Sequence, residues 1–120
     1  MVQAMDLLGE AGVHMDPSRV ARNQANLRTL NEGIDTEPAD GVIAFRCECG
    51  LLGCNRLIPL RRDQYEAVRG NARRFVIAPG HVVAELEHEV ERHADHAVVE
   101  THPQTSDFAE RTDPRSAGTD

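Results

Sequence analysis

The chain of 120 residues has the length of one domain, and its hydrophobic residues (40%) include few aromatics (3%), so a small and mainly aliphatic core is expected. A net charge of −7 argues against a general nucleic-acid-binding protein, because binding to phosphates needs a basic surface. No apolar run approaches the roughly 20 residues of a membrane helix, and the first residues lack the basic and apolar regions of a secretory signal. No membrane association and a cytoplasmic location, where thiols stay reduced, are therefore expected.

The first predicted element is an amphipathic helix over residues 16–36, preceded by a flexible arm over residues 1–15. Asp16 followed by Pro17 is a typical helix start, because the aspartate caps free backbone N–H groups and proline lacks one. The apolar stripe of this helix consists of Val20, Leu27, Leu30 and Ile34. We expect the stripe to pack on the core or, alternatively, to dock on a protein partner.

Residues 42–101 are predicted to form a small α+β domain with a mainly antiparallel sheet. The predicted strands cover residues 42–46, 56–60 and 74–78, and a short helix covers 62–70. The segment 82–93 fits either a helix or, in combination with 96–101, a β-hairpin. The hairpin is favoured because two adjacent valines follow the turn, and valine prefers strands.

The composition changes after residue 102. Residues 103–120 are rich in Pro, Ser, Thr, Gly and Asp and contain one isolated aromatic residue, Phe108. Such a segment offers little apolar surface to offset the entropy of ordering it. A disordered tail over 103–120 is therefore predicted.

Charged residues are distributed unevenly. Arginines are concentrated between residues 56 and 75, and acidic residues between 81 and 100. The favoured interpretation is that the two segments face and screen each other. Alternatively, a basic face binds an acidic protein partner. The arginines of that candidate face are Arg61, Arg62, Arg69, Arg73 and Arg74.

The three cysteines lie within eight residues, as Cys47, Cys49 and Cys54. Because side chains alternate in an extended chain, the first two point to the same side. Gly50 and Gly53 permit a tight reversal that brings the third sulfur back to them. An odd number of cysteines excludes a complete disulfide framework. Thiols that converge in a reducing compartment indicate a metal site.

His81 is the best candidate for the fourth ligand, because it follows the Pro79-Gly80 turn at the end of a strand. A Cys3His set is typical of a closed, structural zinc site, so the predicted fold is an α+β domain held together by this metal. An iron–sulfur cluster on the same ligands is the alternative cofactor. Buried thiols or a redox cysteine pair, with no metal, are the remaining possibility.

The other histidines are interpreted as surface groups. His88, His93 and His96 lie close together in the sequence, and the last two would face each other in a hairpin, as a second metal site or a pH-responsive pair. No zinc-protease or deaminase pattern is present, since His88-Glu89 is followed by His93 one residue too late for H-E-x-x-H. We therefore do not predict an enzyme, although a zinc enzyme with an open metal position stays a minor alternative.

The combined pattern resembles a group of small uncharacterised actinobacterial proteins. The resemblance rests on Phe45, Cys47-Glu48-Cys49-Gly50, Cys54, Tyr65, Val68-Arg69, Phe75, Pro79-Gly80-His81 and Val98-Val99-Glu100. It implies a cytosolic bacterial protein whose three cysteines and His81 belong to one site, and it implies no activity. The leading functional prediction is a zinc-binding adaptor or regulator that acts through protein–protein interaction. The alternative is a redox or metal sensor that uses the cysteine-rich site.

Overall fold

The computed structural model describes residues 16–36 and 38–117, which form an α+β fold with two small antiparallel sheets. The helices are α1 (Pro17–Glu32), α2 (Arg62–Arg69), α3 (Pro103–Arg111) and α4 (Pro114–Ala117). The strands are β1 (Val42–Arg46), β2 (Leu57–Arg61), β3 (Arg74–Ile77), β4 (Glu87–Arg92) and β5 (Ala97–Thr101). The flexible arm predicted for residues 1–15 lies outside the described residues. No helix in the described ranges is long and apolar enough to cross a membrane.

Strands β1 and β2 form a two-stranded sheet in which Phe45 lies opposite Ile58. Every second side chain of both strands is buried, because successive side chains of a strand point to opposite faces of the sheet. The other sheet has the order β3-β5-β4, so β5 is its central strand. The hairpin interpretation of residues 82–101 is therefore confirmed, and the predicted single sheet is in fact two.

The hydrophobic core lies between the two sheets and α2. Phe45 stacks on Tyr65 of α2 with ring centroids 4.3 Å apart. Further core residues are Ile43, Ile58, Leu60, Phe75, Val76, Ile77, Ala97 and Val99. The core is mostly aliphatic, as the low aromatic content predicts.

Helix α1 begins at Asp16, whose side chain accepts a hydrogen bond from the Ser18 backbone N–H at 3.0 Å. Its buried residues are Val20, Gln24, Ala25, Arg28 and Asn31. Of the predicted apolar stripe, Val20 is buried and Ile34 packs against the core, but Leu30 is 54% exposed and Leu27 is only half-buried, so the prediction was wrong for these two leucines. The polar side chains of Gln24, Arg28 and Asn31 are buried as well, because each finds hydrogen-bond partners in the rest of the domain.

Arg28 shows how a charged side chain can be buried on α1. Its guanidinium donates to the carbonyl oxygens of Ala72 at 2.6 Å and Ala109 at 2.7 Å. The same group lies over the Phe75 ring, 4.7 Å from the centroid. Burial and the neighbouring Arg69 lower the Arg28 pKa from its usual value. Helix α1 is therefore joined to the rest of the fold mainly by polar contacts.

The prediction of a disordered tail was wrong for residues 103–117, which form α3 and α4. Ala109 is buried, and Asp113 is buried in an ion pair with Arg69. The polar composition misled the prediction because this segment contributes little apolar surface beyond Ala109 and is held in addition by the buried Arg28 and Arg69 of other elements.

The arginines of the candidate basic face do not form one exposed surface in the structure. Arg69 is buried between Glu32 and Asp113, so it does not belong to an exposed surface. Arg74 pairs with Glu100 across β3 and β5 at 2.9 Å, which joins the basic and acidic segments of the chain at one point.

Candidate metal centre

The structure brings the four predicted ligands, Cys47, Cys49, Cys54 and His81, into one cluster, with all ligand atoms within 4.8 Å of one another. His81 Nδ1 lies 3.6 Å from Cys47 Sγ and 3.5 Å from Cys54 Sγ. A tetrahedral zinc ion with standard Zn–S and Zn–N bonds would separate such sulfur and nitrogen atoms by about 3.5 Å. The arrangement can therefore hold a single metal ion.

The cysteine loop, residues 47–54, follows directly from the alternation of β1. Cys47 continues the ladder by donating its N–H to the Arg56 carbonyl at 3.0 Å, and Cys49 lies two residues further on the same side. Gly50 and Gly53 then adopt positive φ angles of 74° and 84°, which other residues adopt with strain. These two turns return Cys54 to the first two sulfurs.

His81 enters the cluster from the second sheet. The chain leaves β3, and the His81 N–H donates to the Ala78 carbonyl at 3.1 Å in a turn where Gly80 has a φ of 85°. A metal bound here would thus join the cysteine loop of the first sheet to the end of β3.

Backbone N–H groups point at two of the sulfurs. Ala78 N lies 3.1 Å from Cys47 Sγ, and Leu51 N lies 3.4 Å from Cys49 Sγ. The hydrogen bond from Cys49, aided by the Ala78 N–H, lowers the pKa of Cys47 to about 5, whereas the same pairing raises the pKa of Cys49. Because metals bind thiolates, a thiol that is easily deprotonated suits this position.

The two sides of the cluster differ in exposure. Cys47 and Cys49 are buried, whereas Cys54 and His81 are half-buried. An ion, a chelator or an oxidant would therefore reach the cluster from the side of Cys54 and His81.

Sequence reasoning missed Glu48, the residue between the first two cysteines, which is fully buried on the opposite side of the strand. One carboxylate oxygen accepts from Asn31 Nδ2 at 2.9 Å and from the Tyr65 hydroxyl at 2.7 Å. The other accepts from the Val76 N–H at 3.0 Å. Burial raises the pKa of Glu48 above its usual value, and these donors oppose that effect.

Through these hydrogen bonds, Glu48 connects α1, α2 and β3 on the side of the segment that faces away from the cysteine sulfurs. Asn31 reinforces the connection, because its side-chain amide also bonds the N–H and the carbonyl of Arg46, both at 2.9 Å. The one signal in the sequence is alternation, which turns Glu48 away from its two neighbours and toward the interior of the fold. Nothing local in the sequence identifies Asn31 or Tyr65 as its partners.

Helix α1 also contacts the cysteine loop at Gly50. Asn23 Nδ2 donates to the Gly50 carbonyl at 3.0 Å. A Cβ atom at Gly50 would lie only 2.5 Å from the Val20 carbonyl oxygen. The loop therefore requires glycine at this position both for its φ angle and for the approach of the helix.

The other histidines form stacked pairs instead of a ligand set. The rings of His93 and His96 lie 4.4 Å apart, and those of His88 and His102 lie 5.6 Å apart. Within residues 16–36 and 38–117, the Cys3His cluster is the only group of three or more side chains with metal-ligand spacing. The alternative of a second metal site at the histidines thus has no third ligand in that part of the chain.

No family model, curated protein or solved structure matches this chain significantly. The functional interpretation therefore rests on the site itself.

Proposed function

We propose that the protein binds one zinc ion through Cys47, Cys49, Cys54 and His81, and that this zinc-stabilised domain acts in the cytoplasm as an adaptor or regulator by binding another protein. The observation that supports the zinc site most strongly is the mutual distance of the ligand atoms, all within 4.8 Å. Three thiolates and one imidazole complete a tetrahedral shell, which is typical of structural zinc.

The same distances favour zinc over an iron–sulfur cluster. The ligands of such a cluster are distributed over two or more irons. They consequently lie farther apart than ligands that share a single ion. The short distances from His81 Nδ1 to two sulfurs suit one ion.

A structural role fits the position of the site. A two-stranded sheet such as β1–β2 is marginally stable alone. Its two strands are connected through the loop that carries all three cysteines. Zinc binding supplies on the order of 10 kcal/mol in small zinc domains, an amount comparable to the whole stability of a domain.

The adaptor role is supported by two features. A complete set of four protein ligands leaves zinc no open position for a substrate. In addition, large apolar side chains are exposed, including Leu30 of the predicted helical stripe. Leu30, the half-buried Leu27 and the exposed Arg61 of β2 are thus candidate partner contacts.

Elemental analysis of untagged protein, purified without added metal, tests the zinc site. We expect one zinc per chain and a colourless solution. The His81→Ala variant should lose most of its zinc, whereas the matched His93→Ala variant should retain it, because His93 lies outside the cluster. Iron with visible absorption bands, or no metal in the native protein, would refute the proposal.

Affinity purification from the native host tests the adaptor role separately. A partner that co-purifies at a constant ratio with the wild type, and is lost with a Leu30→Glu variant that keeps its zinc, is the expected result. Zinc-loaded protein that recovers no specific partner would contradict the adaptor role and leave the zinc site intact.

The half-exposed Cys54 supports a second candidate, a redox sensor. Hydrogen peroxide would oxidise its thiolate to a sulfenic acid, and a second thiolate would then attack that sulfur, forming a disulfide, releasing hydroxide and freeing the zinc. Zinc release at about one equivalent of peroxide, with a change in oligomeric state, is expected for a sensor. Zinc retained under excess peroxide would exclude this candidate.

A further inference from the structure

The outward side of the β1–β2 sheet forms an exposed surface, which we name the outer ribbon face. It consists of Val42, Ala44, Arg46, Leu57, Pro59 and Arg61, all of which are exposed. In the strand register Val42 lies opposite Arg61, Ala44 opposite Pro59, and Arg46 opposite Leu57. The face therefore has an apolar centre and an arginine at each of two diagonally opposite corners.

The charge of this face is opposite to that of the chain. The protein carries a net charge of −7, yet the outer ribbon face has two arginines and no acidic residue. Arg46 has no ion-pair partner in the described ranges. Arg61 pairs with Asp63 at 3.2 Å, but both side chains are more than 60% exposed (61% and 72%), so this pair is easily exchanged for another.

A partner would bind to this face rather than add a strand to its edges. On β1, the side chain of Asn31 already bonds the backbone N–H and carbonyl of Arg46. On β2, Pro59 has no N–H to donate to a neighbouring strand. What stays available is side-chain surface, namely aliphatic groups between two guanidinium groups.

The chemistry of the face selects the class of partner. Single-stranded nucleic acids need aromatic side chains on which bases stack, and the outer ribbon face has none. Its aliphatic centre suits leucine, isoleucine or valine side chains, and its arginines suit carboxylates. We propose that the outer ribbon face binds a protein segment in which aliphatic residues are flanked by aspartate or glutamate. This inference deepens the adaptor role proposed above and rests on it.

The metal site and this face share one structural unit. Arg46 immediately precedes Cys47, and the Arg56 carbonyl accepts the Cys47 N–H at 3.0 Å beside Leu57. A metal that fixes the cysteine loop would also fix the relative position of Arg46 and Leu57. Binding of the segment should therefore depend on zinc.

Selection of short random peptides on the immobilised, zinc-loaded full chain tests this inference. We expect the enriched peptides to combine aliphatic residues with Asp or Glu. Their affinity should fall on the order of tenfold for Arg46→Glu and for Leu57→Ser. The matched Arg92→Glu variant, altered at an exposed arginine of the other sheet, should bind as the wild type does. Stripping zinc with a chelator should also abolish binding.

Several results would overturn the inference. They are a failure to enrich any peptide, enrichment of peptides without acidic residues, and equal binding to all three variants. Displacement of the selected peptides by oligothymidylate would identify a nucleic-acid surface instead. Displacement by a synthetic peptide of residues 1–15 would identify the chain's own first segment as the occupant.

The zinc content of each variant separates this inference from the proposed function. Variants of the outer ribbon face that keep one zinc per chain and still bind the peptides would refute this face and leave the zinc site and the adaptor role in place. A protein without zinc would refute the proposed function itself.

Discussion

The extended segment Cys47–Glu48–Cys49 has two sides that differ in chemistry. On one side, the two sulfurs meet Cys54 and His81 in a cluster that is half-exposed. On the other side, the Glu48 carboxylate accepts three hydrogen bonds in a fully buried position. In the proposed zinc site an ion completes the sulfur side, whereas the carboxylate side is satisfied by the protein alone.

This difference suggests that the two sides of the three-residue segment have separate roles, metal binding on one side and orientation of the backbone on the other. The hydrogen bonds behind the segment orient the backbone, so that the two thiols are held in position before an ion binds. A bound ion would then join the segment to Cys54 and His81. Disruption of the sulfur side should therefore remove the metal, and disruption of the carboxylate side should reduce stability with less effect on metal content.

Cys49→Ser should have the largest effect. The buried thiolate is lost, zinc is no longer retained, and the stability that zinc supplies, on the order of 10 kcal/mol in such sites, is lost with it. Zinc analysis and circular dichroism on heating measure both consequences. Leu52→Ser, in the same loop at a fully exposed position, serves as the control and should retain zinc.

Glu48→Ala should rank second, with a loss of about 3 kcal/mol in the free energy of unfolding, because it leaves three buried donors without an acceptor. Urea denaturation of the zinc-loaded protein measures the loss, and Glu85→Ala at an exposed position should cost little. We expect about one zinc per folded chain. If Glu48→Ala left stability unchanged, the carboxylate side would have no structural role.

Gly50→Ala and Gly53→Ala form a matched pair at the turns of the cysteine loop. Both positions have positive φ angles, so each substitution should cost about 1 kcal/mol in backbone strain. Only at Gly50 would the new Cβ meet the Val20 carbonyl, which should add about 1–3 kcal/mol. If urea denaturation gave the same loss of unfolding free energy for Gly50→Ala and Gly53→Ala, α1 would not restrict the loop at Gly50.

Glu87→Gln should have the smallest effect, and it depends on pH. Glu87 accepts from Gln24 Nε2 at 2.6 Å and from the Val83 N–H at 3.0 Å, and burial raises its pKa above the usual 4.5. The wild type therefore loses stability as pH rises from about 4.5 through the raised pKa, and the variant has no such loss. The advantage of the wild type should therefore narrow between acid and neutral pH. An advantage that widens with pH would contradict this assignment.

The strands and the ligand cluster could be predicted from the sequence because their signals are local. Apolar runs indicate the strands at 42–46 and 56–60, and the geometry of an extended chain gives Cys47 and Cys49 a common side. The Pro79-Gly80 turn indicates that His81 is directed at another element. In each case, a few neighbouring residues carry the information.

The buried polar contacts could not be predicted, because each joins residues far apart in the chain. Arg28 is buried on α1 through carbonyls from α3 and the loop before β3, and the sequence gives no reason to prefer it over Leu30. The helices after residue 102 depend on the same kind of contact, since Asp113 meets Arg69 only in the folded protein. Charged residues are normally expected at the surface, so composition and periodicity gave the wrong result for both elements.

X-ray absorption spectroscopy at the zinc edge, on untagged protein purified without added metal, tests the central claim most directly. The account predicts one zinc per chain, coordinated by three sulfurs at about 2.3 Å and one nitrogen at about 2.0 Å. A zinc ion with two or fewer sulfur ligands, a spectrum dominated by iron, or native protein that contains no metal would contradict it.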